Sequence, residues 1–119
     1  MLKIYTLSNC DTCRRAVKWL RARGVTFEER AIRETPPTPA ELRVMLAAQG
    51  GQLRTLFNTA GGDYRELKLG EKLPGMSPAA ALGLLAKNGN LVKRPFAIGE
   101  GVALVGFGEA AWSEAWPTR

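Results

Sequence analysis

The chain contains no histidine. A Cys-His catalytic pair is therefore excluded. Cysteine is scarce as well, with only Cys10 and Cys13 present. Zinc commonly takes four ligands, so two thiols without histidine fall short of a zinc site unless a dimer shares it. Two cysteines three positions apart also cannot staple a small secreted domain. No apolar run approaches membrane-spanning length. No apolar stretch follows a basic start, so a secretory signal is not expected. The compartment that fits is a reducing cytoplasm, where a Cys-x-x-Cys pair more often means redox chemistry than structure. Internal repeats, low-complexity tracts and clear linkers are also lacking. With 119 residues, of which 45 % are hydrophobic, one packed domain over residues 1–119 is expected.

What the chain has in excess is positive charge: 17 basic residues against 11 acidic give a formal +6. Much of it lies in one segment, at Arg14, Arg15, Lys18, Arg21 and Arg23. Such a surplus suits a solvated helix face. It equally suits an electropositive rim that draws anions towards a thiol. Direct nucleic-acid binding ranks below both, because no aromatic interleaving or nucleic-acid motif accompanies the charge.

The pair Cys10-Asp-Thr-Cys13 sits between a strand-like run, residues 2–7, and a helical pattern, residues 11–23. In that pattern Cys13, Ala16, Val17 and Leu20 share one face. A thiol at a helix start meets unpaired backbone N–H groups and the positive end of the helix dipole, which favour the thiolate. The neighbouring Asp11 carboxylate opposes this. Gly24 is placed to stop the helix. Residues 25–32 alternate as a second strand, parallel to the first if the helix is a crossover. Thr38, Pro39 and Glu41 form a helix start with a capping box, and Leu42, Met45 and Leu46 supply its apolar face. Residues 53–69 read as short helical pieces around a turn, and Leu73-Pro-Gly75 as a loop. Ser77-Pro78 opens another helix, closed by Asn88-Gly89. Two strands, residues 95–98 and 102–105, flank a Gly99-Glu-Gly101 turn, and residues 110–116 close as a short helix.

This order is that of an α/β, thioredoxin-like fold: a small mixed four-stranded sheet with flanking helices and a helical insertion, about 36–76, between strands two and three. In such folds a proline before the third strand commonly faces the cysteine pair through a cis peptide bond. Pro95, after Arg94, is in the position for it. Taken alone, Pro95 reads as readily as a trans proline starting an edge strand. Arg94 alone reads as a surface residue paired with a carboxylate, and Cys13 as a plain buried cysteine. Trp19, Trp112 and Trp116 are expected to pack the core or cover the terminal helix.

Four stretches carry a resemblance to a known family. They are Ser8-Asn-Cys-Asp-Thr-Cys-Arg-Arg-Ala16, Leu56-Phe-Asn-Thr-Ala-Gly-Gly-Asp-Tyr-Arg-Glu-Leu67, Leu91-Val-Lys-Arg-Pro95 and Leu104-Val-Gly-Phe107. Together they resemble the arsenate reductase family of the glutaredoxin-linked type, with its Spx and MgsR relatives, over essentially the whole length. The resemblance implies that Cys10 is the nucleophile and Arg94 an oxyanion contact. It implies a further anion-binding arginine in the inserted segment, for which Arg65 and Arg54 are the candidates. Guanidinium forks and the N–H groups of residues 11–13 are donors suited to a tetrahedral oxyanion. Two departures stand out. Gly106 occupies the position where the reductases carry another arginine, and Cys13 adds a second thiol able to resolve a mixed disulfide. The resemblance therefore implies a thiol-disulfide oxidoreductase with a small oxyanion or disulfide substrate. It implies no bound cofactor, and glutathione with glutaredoxin, or thioredoxin, as reductant. Its Spx-like side implies a redox-sensing regulator that binds the C-terminal domain of the RNA polymerase α-subunit. No membrane partner is expected.

Overall fold

The computed structural model describes residues 1–117; residues 118 and 119, the last two of the expected domain, lie outside it. Four strands, β1 (Leu2–Thr6), β2 (Phe27–Ala31), β3 (Phe96–Gly99) and β4 (Val102–Val105), form one sheet in the order β2-β1-β3-β4. β2 runs parallel to β1, while β3 is antiparallel to both β1 and β4. The sheet is mixed, as the element order indicated.

Between β1 and β2 lies α1 (Asp11–Ala22). Its end is fixed by Gly24 at φ +72°, a conformation that a Cβ would resist. Gly24 N–H donates to Arg21 O and Val25 N–H reaches back to Leu20 O, both at 3.1 Å. Val25 is thus spent closing the helix, and β2 starts two residues later than its alternation suggested. β2 is an edge strand with little burial. The segment from β2 to β3 holds α2 (Pro39–Ala48), α3 (Gly62–Glu66), α4 (Leu69–Lys72) and α5 (Pro78–Lys87), with 3₁₀ turns between α2 and α3, between α4 and α5, and after α5. One such turn, Leu73–Gly75, stands where the sequence suggested a loop. The chain closes with α6 (Glu109–Ala115).

Side chains alternate across the sheet as the pleat requires. Leu2, Ile4 and Ala97 point to one face and pack with Ala16, Val17, Leu20 and Trp112. Tyr5, Phe96 and Ile98 point to the other and pack with Leu42, Met45, Leu56, Leu85 and their neighbours. Trp112 anchors an aromatic group on the first face, edge-to-face with Trp19 at 6.0 Å and Phe107 at 5.0 Å.

α2 is tied to β1 by polar contacts. Thr38 caps α2, with Glu41 completing the capping box. The same Glu41 accepts from the Tyr5 hydroxyl at 2.6 Å and from Lys3 Nζ at 3.1 Å. Burial would raise the Glu41 carboxyl, but the hydrogen bonds from Tyr5, Thr38 N–H and Lys3 outweigh it and hold it below its usual value. Burial, with the Glu41 contact next, pushes the Tyr5 phenol upward. Among the described residues no helix is long and apolar enough to cross a membrane.

Candidate functional site

The loop after β1 turns sharply, with Cys10 N–H donating to Leu7 O at 3.1 Å. Cys10 then caps α1: its backbone is extended and its Sγ accepts the Cys13 N–H at 3.3 Å. The sulfur thus fills the role that a serine or aspartate oxygen usually takes at a helix start. Asp11 follows it. Its carboxylate is exposed and shared by Arg15 Nε at 3.4 Å and Arg14 Nη2 at 3.7 Å.

β1 and β3 bring the opposite wall to this loop. Their register sets Tyr5 against Phe96, so the residues after Thr6 and those before Phe96 leave the sheet at the same end. The Arg94–Pro95 peptide bond is cis. A cleft of about 470 Å³ results, lined by Leu7, Asn9, Cys10, Thr12, Arg15, Asn58, Lys93, Arg94, Gly106 and Phe107. Cys10 and Arg94 therefore share one cleft, although 84 residues separate them in sequence. Arg94 is half-buried, and its Nη1 donates to the carbonyls of Asn90 at 3.3 Å and Val92 at 3.2 Å.

A short ladder holds that wall in place. Asn58 N–H donates to Leu91 O at 2.7 Å and Lys93 N–H to Leu56 O at 2.8 Å, around an antiparallel bridge between Phe57 and Val92. The Leu56-Phe-Asn58 stretch thus fixes the backbone that carries Lys93 and Arg94.

Cys13 lies elsewhere on the helix. It is 2 % exposed, and its environment pushes the thiol up to about 12. Burial is the larger cause and the contact with Cys10 the next; the charge of Arg94 acts in the opposite sense. Cys13 also touches a second groove, lined by Ser8, Arg14, Lys18, Arg21 and Glu29 among others. The basic stripe of α1 is consequently divided, with Arg15 on the Cys10 cleft and Arg14, Lys18 and Arg21 on the Cys13 groove.

The two insertion arginines are placed differently. Arg54 lines a separate cavity with Thr59, Tyr64, Leu73 and Met76. Arg65, on α3, is not among the residues lining the Cys10 cleft. Asn58, Lys93 and Arg15 line it instead. Asn58 and Lys93 fall inside motif stretches, but neither residue type nor spacing marked them for the cleft. Among the described residues no three His, Cys, Asp or Glu side chains cluster to hold a metal ion.

A mixed four-stranded sheet with a Cys-x-x-Cys pair at the first strand-to-helix junction defines a thioredoxin-like protein. The chain belongs to the ArsC family, whose model matches residues 5–115. It is 43 % identical to the uncharacterized protein YusI of Bacillus subtilis, over 97 % of this chain and 98 % of that one. It is 31 % identical to the global transcriptional regulator Spx of Enterococcus faecalis, over 92 % of this chain and 81 % of the relative. Its fold matches the crystal structure of a possible arsenate reductase from Streptococcus mutans with a TM-score of 0.88 and 35 % identity, covering 97 % and 98 % of the two chains.

Proposed function

We propose that this ArsC-family chain is a thiol-disulfide oxidoreductase in which Cys10 attacks and Cys13 resolves. The observation that carries the reading is the difference between the two sulfurs. Cys10 stands in a cationic cleft at a helix N-terminus, whereas Cys13 is buried behind it in hydrogen-bond contact with it.

In the first step the Cys10 thiolate attacks a disulfide R–S–S–R. A Cys10–S–S–R bond forms and RS⁻ leaves. In the second step the Cys13 thiolate attacks the Cys10 sulfur. The internal disulfide closes and the second RS⁻ leaves. Two electrons pass from the dithiol to the substrate, and the two thiol protons end on the two released thiols. The order has a physical reason. Contact with Cys10 is the second cause holding Cys13 protonated, after burial. Once Cys10 is tied up in a mixed disulfide it has no thiol proton to share with Cys13, and the charge of Arg94 still favours the Cys13 thiolate. A thiol reductant, glutathione with glutaredoxin or thioredoxin, would restore the dithiol.

Arsenate is a weaker candidate than a disulfide. Gly106 offers no side-chain donor, and one charged hydrogen bond to an anion is worth about 1.5–3 kcal/mol. The test is a thiol titration of the reduced protein in stepped glutathione redox buffers. A reversible two-electron transition is expected. It should vanish in Cys10→Ser and stop at a glutathione adduct, seen by intact mass, in Cys13→Ser. No such transition, together with no arsenate turnover, would overturn the reading.

The 31 % identity to Spx favours a second reading, a redox-controlled regulator that binds the C-terminal domain of the RNA polymerase α-subunit. Capture of the chain by that domain, changing with oxidation, supports it. Absence of capture in both redox states removes it.

A further inference from the structure

The Cys10 cleft contains a cation that the exchange steps above leave unused. Lys93 precedes Arg94, and its backbone is pinned by the 2.8 Å bond to Leu56 O. Its side chain is exposed and, among the described residues, takes part in no ion pair. The end of that side chain lies over Gly106. A Cβ at position 106 would stand 3.2 Å from Lys93 Cε. Gly106 itself is held at φ +69°, with its N–H on Pro95 O at 2.9 Å and its carbonyl accepting Trp112 Nε1 at 3.1 Å. The space beside a side-chain-free residue 106 is thus occupied by the lysine stem.

The charges around it are one-sided. The lysine and arginine side chains that line the cleft are Arg15, Lys93 and Arg94, and no aspartate or glutamate lines it. Arg15 is turned to the Asp11 carboxylate, and Arg94 Nη1 is bound by two backbone carbonyls. Among the described residues Lys93 has no such partner, and its ammonium is placed to meet an incoming anion.

We propose that Lys93 selects substrates by charge, drawing to Cys10 a disulfide that carries a carboxylate near its S–S bond. This rests on the exchange reading of Cys10 and names the substrate class for it. An ammonium on a flexible stem is a movable point charge with three rotatable donors. It follows a single carboxylate whose distance from the sulfur varies. A tetrahedral oxyanion is gripped better by fixed guanidinium forks. The carboxylate is not consumed; it only guides the disulfide into position for attack.

The experiment compares two small aromatic disulfides on the reduced full-length protein by stopped flow. One is bis(nitrobenzoate) disulfide, with a carboxylate on each ring; the other is neutral dipyridyl disulfide. The variants are Lys93→Glu, Lys93→Ala and, as an equal change of net charge outside the cleft, Lys72→Glu. The ratio of anionic to neutral rate should fall about tenfold in Lys93→Glu and about threefold in Lys93→Ala, the scale on which a charge lining a cleft alters encounter. It should hold in Lys72→Glu, and the difference should fade in molar salt. An unchanged ratio in Lys93→Glu, or an equal fall in Lys72→Glu, overturns the assignment of Lys93 while exchange at Cys10 stands. Failure of the neutral disulfide to oxidise Cys10 and Cys13 overturns the exchange reading itself.

Discussion

On one face of the sheet, a single helix of 12 residues and a short terminal one close over Leu2, Ile4 and Ala97. On the other, helices of 4–10 residues close over Tyr5, Phe96 and Ile98. The first face is held by continuous apolar packing and by rings around Trp112. The second is assembled from pieces, joined by the ladder between residues 56–58 and 91–93 and by the polar knot at Glu41. The functional cleft takes Cys10 and Arg15 from the first assembly and Asn58, Lys93 and Arg94 from the second. A nucleophile placed by helix geometry therefore meets cations placed by loop pairing.

Breaking the first face has the largest expected effect. Trp112→Ala removes a fully buried ring with three aromatic contacts and the hydrogen bond to Gly106 O. A loss of about 4 kcal/mol is expected in denaturant unfolding, the range for large aromatic deletions. A loss below about 1 kcal/mol would show that this face does not depend on its ring cluster.

The second face has its weakest tolerance at Gly89. A Cβ there would overlap the Ile32 carbonyl oxygen and press on Arg33 Cα, both backbone atoms. Gly89→Ala should destabilise the protein by about 3 kcal/mol, because backbone must shift to admit it. It also displaces the segment leading to Lys93 and Arg94. The disulfide-exchange rate of Cys10 should therefore fall under conditions where the variant remains folded. Equal exchange rates in the folded variant would separate the seam from the cleft.

The smallest effect sharpens the comparison through pH. Glu41→Gln keeps the shape of the knot and removes its charge. A loss of about 2 kcal/mol is expected at neutral pH, the scale of charge-assisted hydrogen bonds. The folded-state value of the Glu41 carboxyl lies below the ordinary 4.5. Its stabilisation is thus complete above that ordinary value and is lost as pH falls through the lowered one. The gap between wild type and variant should be full at pH 7 and narrow below about pH 4.5. A gap that widens in acid would reverse the assigned sign.

Much of the fold was legible because its signals are local. The apolar face of α1, the Thr38 and Ser77 caps and the Gly99-Glu-Gly101 turn each depend on residues within a few positions. The site was legible only in part. Cys10 is marked by its place before a helix. Arg94 was marked by resemblance, since its spacing alone fits a surface ion pair. Lys93 and Asn58 carried no mark for the cleft, because their arrival there depends on contacts across tens of residues, whereas Arg15, on the helix that Cys10 caps, was marked only as part of the basic stripe.

The sequence by itself determined the strand-helix-strand start, the position of a thiol at a helix N-terminus and the surplus of positive charge. Local backbone geometry and side-chain period are enough for those. The helical period already put Cys13 on the apolar face; only the tertiary structure decided that Cys10 opens on a cleft, and which cations accompany it there. Cleft walls and charge proximity arise from where distant segments pack, and short spacings in a chain do not encode that.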